Sequence, residues 1–372
     1  MNTNKKEYFM NNIKKVGLTA LAGSLVTLGS ASAGEMSVSG GINTTLKFGV
    51  GGGNTSRSIG ADRDVTFSGS GELDNGTTFS MSTTLTDAMA LSASTTTIAT
   101  PSLGTFMIGS GTGGASGAYD EEVPTAYEQV SDGKDTAANK VGDFLDNNSI
   151  VYTSPTLDLM GATVTAHVEY SPMATDESGG HSDGGSATYS ASVGHGKSLG
   201  LTATYEGLKV GVYGSEMDRT VPYTVASSGN YAHDEFNGVW YATYSMGPVS
   251  IGYSESYMDA GRSGTTITTN TAKTERTHAG LFTGEQMSIA FNVNDNMSIS
   301  YTTSDETYDT QDDAKTATTT DDDVTESIDA IQVAYSMGGM SIKAYNMEVT
   351  NPSQDDDAAD QSVTEIALGF AF

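Results

Sequence analysis

The stretch Glu365-Ile366-Ala367-Leu368-Gly369-Phe370-Ala371-Phe372 decides the fold class. Ile366, Leu368, Phe370 and Phe372 alternate with Glu365, Ala367, Gly369 and Ala371. Successive side chains of a strand point to opposite faces, so this segment has one apolar wall and one wall of small or charged residues. A soluble sheet has no reason to leave a free aromatic such as Phe372 at the end of such a strand.

Farther back, the same period recurs. Met36, Val38, Gly40, Ile42, Leu46, Phe48 and Val50 share one face, and Ser37, Ser39, Gly41, Asn43, Thr45, Lys47 and Gly49 share the other. The pattern returns at Phe79, Met81 and Leu85, at Met287, Ile289, Phe291 and Val293, and at Met297, Ile299 and Tyr301. Yet only 37% of the residues are apolar, and Gly accounts for 44 of 372. No segment after residue 33 is long and apolar enough for a membrane helix. A membrane barrel reconciles these facts, because strands apolar on one side only average to a modest hydropathy.

The connections come in two alternating kinds. Asp74-Asn75-Gly76, Pro101 to Gly104, Ser154 to Gly161, Glu206-Gly207, Met246-Gly247-Pro248, Asn294-Asp295-Asn296 and Met337-Gly338-Gly339 read as tight turns, which favour residues able to adopt positive φ. Polar loops are expected between them, near 51–62, 86–93, 111–146, 172–195, 218–236, 259–283, 305–327 and 349–361. Seven turns and eight loops join about sixteen strands. The fold class read from this is all-β: a transmembrane antiparallel β-barrel, with short periplasmic turns on one side and long extracellular loops on the other.

Lys14 and Lys15 precede an apolar run from Val16 to Leu28, closed by Ala31-Ser32-Ala33. This predicts a secretory signal peptide over 1–33 and a barrel domain over 34–372. The full chain carries 17 bases and 46 acids, a net charge of −29. Removing 1–33 deletes four of those bases and one of those acids, leaving −32. Such acidity excludes nucleic acid as a partner, since phosphate binding needs a basic face. There is no cysteine, hence no disulfide, thiol nucleophile or thiolate metal site.

Four segments then resemble the general diffusion porins of Gram-negative bacteria. They are Phe67 to Gly76 as a hairpin, Leu103 to Gly109 as the strand feeding the third loop, Asn148 to Pro155 as the strand leaving it, and Phe372 at the C-terminus. The resemblance implies an exported outer-membrane homotrimer, a passive channel for ions and small hydrophilic solutes, and a third loop folded into the pore. It further implies contact with outer-membrane lipid and lipopolysaccharide, and reading of Phe372 by the barrel-assembly machinery. The chain departs from the family in two places. Phe144-Leu145-Asp146 stands where an Arg is usual, and few bases are available for the arginine ladder facing the third loop.

Loop 111–146 holds Asp120, Glu121, Glu122, Glu128, Asp132, Asp135, Asp143 and Asp146 against Lys134 and Lys140, a net charge of −6. Inside a pore these carboxylates would attract cations and repel anions. Asp120, Glu121, Glu122 and Glu128 are the candidate constriction acids. Lys47, Lys209 and Lys343, each on the polar phase of its strand, are the candidate opposing bases. His167 and Glu169 share that phase and read as wall lining. Phe48, Tyr170, Tyr205, Tyr253, Tyr301 and Tyr335 suit interfacial girdles.

The acidic runs Asp312-Asp313, Asp321 to Asp323 and Asp355 to Asp357, with Asp360, lack calcium-loop spacing and read as solvated. No metal or cofactor is expected. The histidines at 167, 181, 195, 233 and 278 have no partner motif for catalysis, so the chain reads as a non-enzyme. A structural or adhesive barrel with a closed lumen, an outer-membrane hydrolase and a soluble secreted β-protein are the alternatives.

Overall fold

Period-two alternation throughout the chain produces antiparallel pairing throughout the structure. The computed structural model describes residues 34–51, 54–86, 88–130, 141–174, 193–219, 233–261, 280–309 and 323–372. The leader expected over 1–33, Asp132, Lys134, Asp135 and Lys140 of the third loop, His181 and His278, and Asp312, Asp313, Asp321 and Asp322 lie outside the described residues.

The strands are β1 (Glu35–Gly51), β2 (Asn54–Glu72), β3 (Thr78–Leu85), β4 (Leu91–Thr100), β5 (Gly104–Ser110) and β6 (Asn147–Thr153). There follow β7 (Leu157–Leu159), β8 (Ala162–Ser171), β9 (Val193–Tyr205), β10 (Leu208–Arg219), β11 (Glu235–Met246) and β12 (Val249–Asp259). The last are β13 (Leu281–Asn294), β14 (Met297–Asp309), β15 (Val324–Met337), β16 (Met340–Thr350) and β17 (Gln361–Ala371).

Apart from β6 and β7, each strand pairs with its neighbour in sequence, and β1 also pairs with β17, so the sheet closes on itself. β6 and β7 both pair with β8, at Ile150↔Tyr170 and Leu157↔Val164. They form one stave interrupted at Ser154, which makes the seventeen strands a sixteen-stave barrel. Phe372 completes the seam, its N–H and C=O both bonded to Gly40 at 3.0 Å.

Two connections differ from the sequence reading. The segment 51–62 is almost entirely strand, because β1 and β2 pair as far as Gly51↔Asn54. Its Gly, Asn, Ser and Arg residues are poor strand formers, and pairing with β1 overrides that preference. The stretch from Ser154 to Gly161 holds β7, and the turn proper is Met160-Gly161, with φ of 59° and 92°.

The outward phase carries the apolar band, including Phe67, Met81, Ile108, Leu201, Val212, Ile251, Ile289, Ile331, Ile342 and Leu368, all exposed. Tyr170, Tyr205, Tyr301 and Tyr335 are exposed on the same phase, as girdle residues should be. Conversely, the inward phase is polar: Ser198, Ser215, Asn237, Ser254, Gln286, Ser288, Ser300, Thr302 and Gln332 are all buried. A sheet with hydroxyls inside and aliphatics outside is inverted relative to a soluble barrel. Something must cover those buried polar groups, and it is the connection between β5 and β6.

Candidate functional site

The described parts of this connection, residues 111–130 and 141–146, turn inward. Its first anchor is Glu169 on β8, which is 1% exposed and faces the lumen. The Glu169 carboxylate accepts hydrogen bonds from Ala115 N–H (3.3 Å), Ser149 Oγ (2.8 Å) and Ser198 Oγ (3.2 Å). Three donors offset much of the cost of burying a carboxylate.

Next, Tyr119 lies flat on the wall. Its ring stacks on Tyr213 at 5.2 Å, and its hydroxyl is hydrogen-bonded to Nδ1 of His167 at 2.5 Å. The seat beneath it is Gly200, where a Cβ would stand 2.4 Å from the Tyr119 ring. Gly252 serves Pro124 in the same way, since a Cβ there would stand 2.4 Å from the proline Cδ.

From there the loop crosses the barrel. Tyr241 Oη donates to Ala118 O (3.3 Å), and Gln286 Nε2 donates to Glu121 Oε1 (2.8 Å). Ser288 Oγ donates to Pro124 O, and Ala126 N–H donates to Ser300 Oγ (2.9 Å). Tyr127 N–H donates to Gln332 Oε1 (2.8 Å), and Tyr127 Oη donates to Glu365 Oε1 on β17 (2.9 Å). The loop therefore leaves the wall at β5 and lies along the inner faces of β8 to β15 before reaching β17.

The opposite arc of wall stays uncovered. Asn43, Thr45, Asp64, Thr66, Ser82, Thr84, Thr95 and Thr97, on the inner faces of β1 to β4, are partly exposed, and Asp62 is exposed. Hydroxyls there bond across strands, Thr66 to Thr84 at 2.8 Å and Ser82 to Thr95 at 2.7 Å. Solvent reaches this arc, which carries two carboxylates and, among bases, Lys47 alone.

The predicted acids and bases are not arranged as two facing rows. Lys209 pairs with Glu122 and lies 4.8 Å from the Tyr241 ring centre, on the loop-covered side. Lys343 sits over the Tyr127 ring at 4.9 Å, and Glu128 lies within electrostatic reach of it. Lys47 pairs with Glu365 at 3.4 Å. Each of the three lysines has its own partner, and they form no common cluster. Their strands, β1, β10 and β16, are not adjacent, so register cannot bring them together.

Among the acids, Glu121 is buried and held by Gln286. Burial pushes Asp120 up to about 8, helped by the charges of Glu121, Asp143, Asp146 and Glu122. At neutral pH much of its population is therefore protonated. The negative charge of the lumen rests less on Asp120 than its sequence position implies.

Several residues of the site were missed or under-read. His167 and Glu169 are loop anchors as well as wall lining. Glu306 and Glu326 hold the connection after β16: Gln354 Nε2 donates to Glu306 Oε1 at 2.8 Å, and Ser353 N–H donates to Glu326. The available signal was a carboxylate in the inward phase of a hydroxyl-rich strand, a costly placement without a partner. Near the ends of β10 and β11, Glu216, Asp218 and Asp234 approach one another. Lys197 and His195 already contact Glu216 and Asp218, and Asp234 accepts the Arg219 N–H.

No protein-family model matches the chain, and no curated protein matches its sequence. Solved structures do match. Outer-membrane expressed OmpT of Vibrio cholerae superposes with a TM-score of 0.60 at 14% identity, covering 93% of this chain and 100% of that one. The anion-selective porin from Comamonas acidovorans gives 0.64 at 10% identity, with 91% and 100% covered. OmpF of Salmonella typhi, in complex with daunomycin, gives 0.64 at 9% identity, with 93% and 100% covered. The chain has the general porin fold. At such low identity the shared porin property is architecture, namely the sixteen staves and their closure.

Proposed function

We propose that this chain is a passive, water-filled outer-membrane channel for ions and small hydrophilic solutes, with a preference for cations. The observation that carries the reading is the unequal burial of the inner wall. From β8 to β15 the polar lining is sealed under the inner loop, while from β1 to β4 a hydroxyl-rich arc is reached by solvent. A wall of Ser and Thr hydroxyls replaces hydration without binding any solute tightly, which suits diffusion.

Loop 111–146 would form the constriction, with Asp120, Glu121, Glu122 and Glu128 on its rim and Lys47, Lys209 and Lys343 as local counter-charges. Lys47 and Lys209 are paired with Glu365 and Glu122, and Lys343 lies over the Tyr127 ring, so on this reading the excess of acids over bases in the loop sets the charge of the passage. On this reading 1–33 is removed on export, Phe372 is the assembly signal, and outer-membrane lipid and lipopolysaccharide surround the apolar band. The working unit is a homotrimer and carries out no catalysis.

Single-channel conductance of the purified protein in a planar bilayer tests the reading. Stepwise, ohmic currents are expected. A protein that inserts and stays silent would overturn it in favour of a barrel with a closed lumen. The inward folding of Pro352 and Gln354, both buried, is the observation on that side.

A further inference from the structure

The outer wall carries a groove that neither the inner loop nor the pore uses. It lies over β10 to β14 and encloses about 630 Å³, within the roughly 300–1,000 Å³ of ordinary small-molecule sites. One row of register partners crosses it on the outward phase: Val212, Trp240, Glu255, Glu285 and Asp305. Glu285 thus faces Glu255 on one side and Asp305 on the other, and like charges directly opposite destabilise a strand pair. Among the described residues, no strand partner in this row, or in the rows directly above and below it, is a base.

Aromatic rings line the same groove. Trp240 and Tyr253 lie 5.5 Å apart, and Phe236 and Tyr257 6.0 Å apart. Trp240 Nε1 donates to Glu255 Oε2 at 2.9 Å. Tyr253 Oη stands 2.6 Å from Glu255 Oε1 and 3.2 Å from Glu285 Oε1, with one proton for the two. These bonds fix Glu255 beside the indole, while Glu285 and Asp305 are exposed to the groove mouth. Gly238 leaves the groove deep, although the fold does not require glycine there. Its φ is not positive, and an added Cβ would meet only ordinary contacts, Phe236 Cε1 at 3.5 Å and Tyr213 O at 3.6 Å.

The shape of the groove selects among cations. Among the described residues, carboxylates converge to metal-ligating distance at Glu216, Asp218 and Asp234, and not in this row. A wide groove with acids on one side and aromatic faces on the other suits an organic ammonium group, which donates several hydrogen bonds and lies favourably on aromatic rings. Directly toward the short turns stand Tyr253 and Met287, then Ile251 and Ile289 of the apolar band. A cation seated here therefore has hydrocarbon-facing wall immediately beneath it.

We propose that this groove binds the ammonium headgroup of a lipid, whose chains lie along the apolar band below. The inference rests on the outer-membrane reading, which sets this face against lipid.

Trp240 is the single tryptophan of the chain, so its fluorescence reports on this groove alone. The protein is placed in vesicles of phosphatidylethanolamine and phosphatidylglycerol in equal parts, with one lipid or the other brominated on its acyl chains to quench the indole at close range. Quenching should be stronger when the amine lipid carries the bromine, with a roughly two- to fivefold enrichment beside Trp240, as for a cation on an exposed aromatic face. Gly238→Leu fills the groove and keeps every charge; Glu255→Gln with Glu285→Gln and Asp305→Asn keeps the shape and removes the charge. Each variant, compared as heat-modifiable barrel, should lose the enrichment. Equal quenching by both lipids in the wild type would overturn the proposal. So would enrichment that survives Gly238→Leu, which would assign it to diffuse surface charge, or enrichment of the anionic lipid that EDTA abolishes, which would assign the acids to a metal-bridged phosphate. Absence of quenching by either lipid would refute the lipid-facing wall, and the outer-membrane reading would fall together with the proposal.

Discussion

Tyr127, in the connection between β5 and β6, donates its hydroxyl proton to Glu365 on β17 across 2.9 Å. A loop that begins at the fifth strand is thus fastened to the last one, with Lys47 closing on the same carboxylate at 3.4 Å. The tether is polar, short and buried, so it fixes the loop to the wall at β17. Replacing Tyr127 by Phe keeps the ring beneath Lys343 and deletes one hydrogen bond, at a cost of about 1 kcal/mol. Single-channel records of Tyr127→Phe should show greater open-channel noise at a similar unit conductance. Noise identical to wild type would mean the tether does not restrain the loop.

The loop's seat is equally testable. Gly200 leaves room for Tyr119, and any side chain there must displace the ring. Overpacking of this kind costs ~1–3 kcal/mol. Gly200→Val should still fold and shift on heating in detergent gels, but with altered unit conductance as Tyr119 leaves the wall. Unchanged conductance in a folded Gly200→Val protein would show that the loop's position is not set at this contact.

The acid Asp120 predicts a pH dependence. Its folded-state value is raised to about 8, chiefly by burial. An acid raised on folding adds stability that is fully present at low pH and is lost as pH rises through that value. Ionisation also adds a negative charge to the loop. Cation preference should therefore increase between pH 7 and pH 9, and Asp120→Asn should abolish the increase. Reversal potentials at the two pH values are the measurement.

The seam between β1 and β17 depends on Phe372, whose backbone makes two hydrogen bonds to Gly40 at 3.0 Å. Its ring belongs to the exposed apolar surface. Deleting Phe372 should lower the yield of heat-modifiable barrel several-fold at equal synthesis, as read by gels of membrane fractions. Equal yield would show that the seam tolerates its loss.

Much of this architecture is legible in the sequence, for a physical reason. Period-two alternation is local, and a closed sheet with one lipid face and one wet face repeats it in every stave. The inward placement of Lys47, Lys209 and Lys343 follows from phase alone. Partner choice does not, because it depends on strands far apart in the chain: Lys209 meets Glu122, and Glu169 meets Ala115. The β1–β2 extension was hidden for a different reason. Its Gly, Ser and Arg composition resembles a loop, and only pairing with β1 makes it a strand. The seats at Gly200 and Gly252 were equally invisible, since a glycine in a strand does not announce what approaches it.

The central claim is that the inner loop gives the pore its charge preference, and the reversal potential under a salt gradient tests it most directly. Charges beside a narrow passage act across little water and bias ions more than solvated charges outside. The effect grows at low salt, since the screening length is ~10 Å at 0.1 M. Wild type should favour cations. Asp120→Asn with Glu121→Gln and Glu122→Gln should shift the potential toward anions, the more so because Lys209 loses its partner. Asp355→Asn with Asp356→Asn and Asp357→Asn should shift it much less. An anion-selective wild type, or two triple variants with the same reversal potential, would contradict the account.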